Sequence, residues 1–323
     1  MEWALFLERG ALAMTVLGSG WMTGLVTVGG FVAGLLTWFV MLVSEWGAWA
    51  LIMPGRRLSA AGPGDDFETG AAGGGVPIEA TASDGTRLAG VWFPAGASPT
   101  PTGRTILLVH GFAEVRDAMK GRAELLAARG WNVARLDMRG YGRSGGGFAS
   151  FGGREGDDLR AWVDVVAGRV GPAMSLAVWG RSMGAAIALR AAADEPRIVA
   201  LLLESPYARL ETVVAGWLQR IRTPLPSLLA PRIVRRASRL AGVSLSRPRP
   251  IELAPRITAP TLIVHGRRDT LVPDGDAHRL ASVFPQPATL IEIQGAGHGN
   301  VIEMGGPDLL DRIVAFLDQA TSR

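Results

Sequence analysis

The segment MSLAVWGRSMGAAIAL, residues 174–189, decides how the rest of the chain reads. An apolar strand, Met174–Trp179, runs directly into Gly180-Arg181-Ser182-Met183-Gly184, and an alanine-rich helix, Met183–Ala193, follows at once. A serine on so sharp a strand-to-helix turn has a strained, closely packed backbone, and small residues at Gly180 and Gly184 make room for it. The helix N-terminus beyond it favours developing negative charge. In a chain with 43 glycines a lone G-x-S-x-G occurs by chance. Its position between strand and helix separates a nucleophile elbow from a structural serine in a tight turn.

Outward from this point, strands and helices alternate. Val76–Ala82 and Arg87–Phe93 flank Asp84-Gly85, a hairpin signature. Arg104–Val109 is a continuous apolar run ending at a glycine, as a buried central strand would. Helix Met119–Arg129, strand Trp131–Asp137, helix Glu155–Ala167 and strand Ile198–Glu204 complete the first part. Beyond an inserted region come strand Thr261–His265, helix Asp274–Phe284, strand Ala288–Ile293 and a last helix over about Pro307–Gln319. This alternation implies an α/β class domain over residues 76–323, its mostly parallel sheet covered by helices on both faces. Such sheets place their chemistry outside the carboxyl ends of the strands.

The distinctive residues fall at those ends. His298, in Gly295-Ala296-Gly297-His298-Gly299, follows the last strand and is the natural base for the Ser182 hydroxyl, a role to which a neutral imidazole is suited. Of the other histidines, His278 lies within a helix, while His110 and His265 precede glycines at strand ends, where backbone or supporting roles fit better. Asp269 follows the penultimate strand and would hold the His298 tautomer and stabilise the imidazolium. Its competitors, Asp274 and Asp276, read as N-terminal charges of the next helix. The loop His110-Gly111-Phe112 offers a backbone N–H, that of Phe112, which with the Met183 N–H would form an oxyanion hole; a plain glycine turn is the alternative.

The stretch Leu136-Asp137-Met138-Arg139-Gly140-Tyr141-Gly142-Arg143-Ser144-Gly145 resembles the D-x-R-G-x-G-x-S signature of α/β-hydrolases, whose chain order of serine, acid and histidine this sequence shares. Gly153–Trp162 (GREGDDLRAW) and Leu203-Glu204-Ser205-Pro206-Tyr207 are similar to segments of the Bem46/ABHD13/ABHD17-like subgroup. The resemblance covers about residues 76–320. It implies the α/β-hydrolase fold, a Ser182-His298-Asp269 triad, a Phe112 and Met183 oxyanion hole, and hydrolysis of carboxylic esters, thioesters or amides.

A variable lid is expected between Tyr207 and Pro250. There the chain carries nine arginines against the single acid Glu211, with apolar positions Val213, Val214, Trp217, Leu218 and Ile221 at helical spacing. Pro224, Pro226, Pro231, Pro248 and Pro250 limit helices there to short pieces. A basic amphipathic lid suits anionic lipid; a solvated basic face over a packed apolar side is the plain alternative.

The 323 residues carry a formal charge of +4, almost all of it arginine, with Lys120 the single lysine. Cysteine is absent, which excludes disulfide frameworks, thiolate zinc sites and cysteine nucleophiles. No cofactor or metal motif is present. The arginines are not interleaved with aromatics as in nucleic-acid modules. Oligomeric state stays open.

From Gly10 to Ser44 no side chain is charged, and Trp21–Val43 is long enough for a transmembrane helix, about 20 residues for a core of roughly 30 Å. Residues 1–58 thus read as a single-pass membrane anchor and 59–75, rich in Gly, Ala and Asp, as a flexible tether. A cleaved signal peptide ending near Ala48-Trp49-Ala50 and a helical hairpin are the alternatives. Arg56 and Arg57 beyond the span tilt the catalytic domain towards the cytoplasm.

The reading is a membrane-anchored serine hydrolase acting on an ester- or acyl-bearing substrate. A peptidase or amidase on the same triad, and a non-catalytic membrane-tethered binding module, are the competing functions.

Overall fold

The computed structural model describes residues 30–53, 75–95 and 103–322. The chain divides into two compact units, residues 1–46 and 47–323. The boundary falls inside helix α1, Gly30–Ile52, whose 23 residues have a mean hydropathy of 1.6 and are long and apolar enough to cross a membrane. The part of the expected span before Gly30, and the tether up to residue 74, lie outside the described residues. Past the expected end at Val43, α1 continues to Ile52, and its last turns bury Ala48, Leu51 and Ile52 in the larger unit.

That unit is built on an eight-stranded sheet. Its strands are β1 (Val76–Thr81), β2 (Arg87–Phe93), β3 (Arg104–Val109), β4 (Asn132–Leu136), β5 (Ser175–Arg181), β6 (Ile198–Glu204), β7 (Thr261–Gly266) and β8 (Thr289–Ile293). Their order is β1-β2-β4-β3-β5-β6-β7-β8, with β2 antiparallel to both neighbours and every later pair parallel. This is the expected mostly parallel sheet of the α/β-hydrolase fold. The central strands are buried on both faces, which is why they appear in sequence as unbroken apolar runs.

Helices α2 (Lys120–Ala128) and α9 (Val301–Thr321) cover one face, where Leu126, Trp131, Ile313 and Leu317 join Ile106, Leu108, Trp179 and Leu202 in one buried cluster. Helices α3 (Glu155–Val170), α4 (Met183–Ala192) and α8 (Asp274–Ala281) cover the other. Helix α9 is kinked at Gly306, φ 61°, so the helix expected from Pro307 is preceded by one extra turn.

The insertion after β6 forms α5 (Leu210–Arg220) and α6 (Pro226–Ala241), with short α7 (Pro250–Leu253) behind them. Here the structure corrects two expectations. Proline does not keep helices short: α6 has 16 residues with Pro231 inside it. Pro226 occupies the first turn, where no N–H is needed. Pro231 and Ser227, whose carbonyl loses its partner, both face solvent, so water can satisfy that oxygen. Ile221, expected on the packed side of α5, lies past the helix end and is 73% exposed.

Candidate active site

The elbow forms as its sequence requires. Ser182 adopts φ 51° and ψ −110° at the junction of β5 and α4, and its N–H donates to the Glu204 carbonyl at 2.8 Å. A Cβ on Gly180 would stand 2.3 Å from the Gly184 carbonyl oxygen, and one on Gly184 would stand 2.2 Å from that of Val109. Neither position tolerates a side chain. The second approach also brings the first turn of α4 against the end of β3, beside the loop His110-Gly111-Phe112.

His298 and Asp269 reach the same corner from loops after β8 and β7. His298 Nε2 lies 2.9 Å from Ser182 Oγ, and Nδ1 lies 2.7 Å from Asp269 Oδ2. An ionised carboxylate only accepts, so Nδ1 carries the proton and Nε2 is left to accept from the serine hydroxyl. The other Asp269 oxygen accepts the N–H groups of Leu271 and Val272, each at 2.8 Å. Burial pushes the Asp269 carboxyl up, but the hydrogen bond and charge of His298 and the Val272 N–H outweigh it, and the group sits below the usual carboxylate range. The three side chains expected to converge are therefore brought together.

Phe112 and Met183, expected to supply oxyanion donors, lie on adjoining backbone. Met183 is the first residue of α4, where no preceding turn supplies an acceptor for its N–H. The Gly111 N–H, one residue before that of Phe112, is occupied by Glu114 Oε2 at 2.8 Å. His110 has a supporting role. Its Nε2 accepts the Met138 N–H at 3.1 Å, and its Nδ1 lies 2.8 Å from the Gly111 carbonyl oxygen. Burial holds the His110 imidazole below its ordinary value, in keeping with a neutral ring. His265 is also buried and lowered in the same way, despite Asp269 nearby. Asp276 lies in the first turn of α8 as expected, and is in addition buried and accepts the Ala208 N–H at 3.0 Å, which pins the start of the lid.

A network that sequence reasoning does not find lies under the elbow. Glu204, fully buried at the end of β6, accepts from Arg122 at 2.6 and 3.0 Å and from the Trp179 indole at 3.0 Å. Arg181, just before Ser182, lies 2.5 Å from Glu114, 3.4 Å from Glu204 and donates to the Gly299 carbonyl at 3.2 Å. One guanidinium thus joins the loop after β3, the end of β6 and the histidine loop. A charged residue in an otherwise small-residue elbow, and an acid closing an apolar strand, are the signals that could have drawn attention to it.

The three segments that carry the family resemblance are framework around this corner. Asp137 accepts the N–H groups of Arg116 and Arg143, and Ser144 Oγ donates to the Asp137 carbonyl at 2.6 Å. Arg139 joins Asp84 to Asp158 of the GREGDD segment at 2.7 and 2.6 Å. Ser205, in the LESPY segment, donates through Oγ to the His298 carbonyl at 3.2 Å.

Comparison with known proteins agrees with this architecture. The family model described as "Serine aminopeptidase, S33" matches residues 100–253, which include Ser182 and the loop His110-Gly111-Phe112. The chain belongs to the α/β-hydrolase superfamily and is an enzyme of the serine hydrolase class. Among its relatives, Rv2307c of Mycobacterium tuberculosis is 31% identical over 253 residues, covering 77% of this chain and 80% of that protein. A monoacylglycerol lipase of Mycolicibacterium smegmatis is 28% identical over 57% of this chain and 75% of its own. The Pyrococcus furiosus esterase Pf2001 superimposes with a TM-score of 0.64 at 27% identity, covering 77% of this chain and 92% of that one.

Proposed function

We propose that the protein is a membrane-anchored serine esterase that cleaves carboxylic esters or thioesters through Ser182, His298 and Asp269. The observation that carries this reading is the continuous hydrogen-bonded path from Ser182 Oγ through His298 to Asp269. Ser182 Oγ attacks the acyl carbon while His298 Nε2 takes its proton. The Phe112 and Met183 amides hold the oxyanion, and His298 returns the proton to the leaving alcohol or thiol. Water, deprotonated by the same imidazole, then releases the acid and restores the serine. The lipase and esterase relatives support an ester as the bond cleaved. The quoted resemblance segments support a place in the Bem46/ABHD13/ABHD17-like subgroup.

Membrane attachment through residues 1–58 is part of the proposal, supported by the length and hydropathy of α1. A signal peptide cut near Ala48-Trp49-Ala50 fits less well, because these residues lie within a continuous helix whose Ala48 is buried. Arg232, Arg235 and Arg239 recur along the exposed face of α6 and supply a surface that suits anionic lipid. An amidase or peptidase on the same triad is the second reading, favoured by the description of the matching family.

A fluorophosphonate probe tests the central assignment. Wild type labels and Ser182→Ala does not; equal labelling of the two would place the nucleophile elsewhere. An ester series run beside aminoacyl amides then decides the bond.

A further inference from the structure

A cavity of about 210 Å³ opens beside Phe112, and none of Ser182, His298 and Asp269 lines it. Phe112 supplies one wall, Trp217 and Ile221 at the end of α5 supply another, and Ala50 and Leu51 of α1 close the third side. The Trp217 indole is the single hydrogen-bonding side chain among its lining residues; the rest is hydrocarbon. The wall is built to this shape by close packing. Gly47 lets the end of α1 approach α6 so tightly that a Cβ there would stand 2.8 Å from Ile233 Cδ1. The Phe112 ring is held by Phe151 and Trp217, with centroids 5.3 and 5.2 Å away.

Phe112 fixes what such a cavity can receive. Its backbone belongs to the loop beside Ser182 and its ring belongs to the cavity wall, so the cavity adjoins the corner where the ester carbonyl would sit. An apolar slot of this size gains from hydrocarbon and gives little to a charged or hydrogen-bonding group. At about 30 Å³ per water-sized group, the volume holds roughly seven such groups.

We propose that this cavity is the acyl-chain site and that the end of α1 is one of its walls, which makes esters of straight-chain acids of about eight carbons the preferred substrates. The proposal rests on the esterase reading above and adds to it a chain length and a role for α1 besides anchoring. Ile221, 73% exposed, stands where the slot meets solvent, so longer chains leave it there. Burial of each methylene is worth up to about fourfold in kcat/KM while the chain still lies inside.

The test uses the 323-residue chain and p-nitrophenyl esters from acetate to palmitate. In wild type, kcat/KM rises by tenfold or more from acetate to octanoate and rises no further beyond it. Ala50→Phe, which fills the slot from the α1 side, lowers the octanoate-to-acetate ratio by about tenfold and moves the optimum to shorter chains. Ile221→Trp narrows the exposed mouth without touching the core and moves the ratio in the same direction, so the test stands even if the Ala50 variant does not fold. A flat wild-type series, or an unchanged ratio in a folded variant, overturns the proposal. Fluorophosphonate labelling separates the two levels: labelling with a flat series removes the acyl site alone, whereas failure of wild type to label or turn over any ester removes the esterase reading with it.

Discussion

Arg181 and Glu114 meet at 2.5 Å, and the same Glu114 carboxylate accepts the Gly111 N–H at 2.8 Å, so the residue before the nucleophile is tied to the residue before the Phe112 amide. In the proposed mechanism this ion pair positions the loop that carries the Phe112 amide relative to Ser182. Losing an oxyanion donor outright costs on the order of a hundredfold or more in kcat, and small displacements cost a large share of that. Glu114→Ala is therefore expected to lower kcat on a soluble ester by about tenfold with KM within about twofold. Glu114→Gln, whose amide oxygen can still accept the Gly111 N–H but whose NH2 then faces the Arg181 guanidinium donor to donor, should recover only part of the loss. Steady-state kinetics on both variants decide it, and an unaltered kcat in the alanine variant would show that the loop holds its place unaided.

Asp269 makes a prediction in pH. Burial raises its carboxyl, but His298 and the Val272 N–H outweigh this, so the folded value lies below the ordinary one. A group depressed in this way contributes stability that is fully present above its unfolded value, about 3.9, and is lost as pH falls through its folded value. Asp269→Asn should therefore melt below wild type at neutral pH, and the gap in Tm should narrow as pH drops below about 4. At pH 7 the same variant should lose about 10³ to 10⁴ in kcat, because an amide nitrogen facing Nδ1 favours the wrong imidazole tautomer. A Tm gap that stays constant from pH 6 to 2 would mean that charge at Asp269 contributes nothing.

Gly184 is a packing prediction at the same corner. Its Cβ would meet the carbonyl oxygens of Val109 at 2.2 Å and His110 at 2.8 Å, both backbone atoms at the end of β3. Neither can yield without moving the strand that carries the oxyanion loop. Gly184→Ala is expected to destabilise by about 1–3 kcal/mol and to abolish probe labelling. Gly147→Ala is the matched control, since a Cβ there meets nothing within 4 Å, and it should stay within about 0.5 kcal/mol of wild type. Denaturant midpoints compare the two.

These sites differ in how visible they are in the sequence. Ser182, Asp269 and His298 each follow an apolar run, and a parallel sheet puts the ends of such runs at one rim, so local pattern and topology suffice to nominate them. The hairpin at Asp84-Gly85 and the buried run Arg104–Val109 are legible for the same reason, since their periodicity is local. The Arg122–Glu204 pair joins residues 82 positions apart, and no periodicity records such a partnership. The 16-residue α6 defeats the proline rule because Pro231 happens to face solvent. Where α1 ends is hidden too: apolar residues that suit a bilayer and apolar residues that suit a protein core look alike, and burial at Leu51 and Ile52 separates them only in three dimensions.

That last distinction has a measurable consequence. Ala48, Leu51 and Ile52 are buried in the larger unit, and the Ala149 N–H donates to the Ile52 carbonyl at 3.0 Å. A cut placed after residue 58, where composition alone would put the end of the anchor, strips these contacts from the hydrolase unit; a cut after residue 46 keeps them. Burying one Leu or Ile side chain is worth about 1.5–3 kcal/mol, so the chain beginning at residue 59 should be less stable than the chain beginning at residue 47 by about 3 kcal/mol or more. The acyl cavity would also lose its Ala50 and Leu51 wall, so octanoate selectivity should fall together with stability. Denaturant unfolding and the ester series on the two truncated chains read both effects. Equal stability would mean that residues 47–52 rest on the surface without contributing to the fold, and α1 would then be an anchor alone.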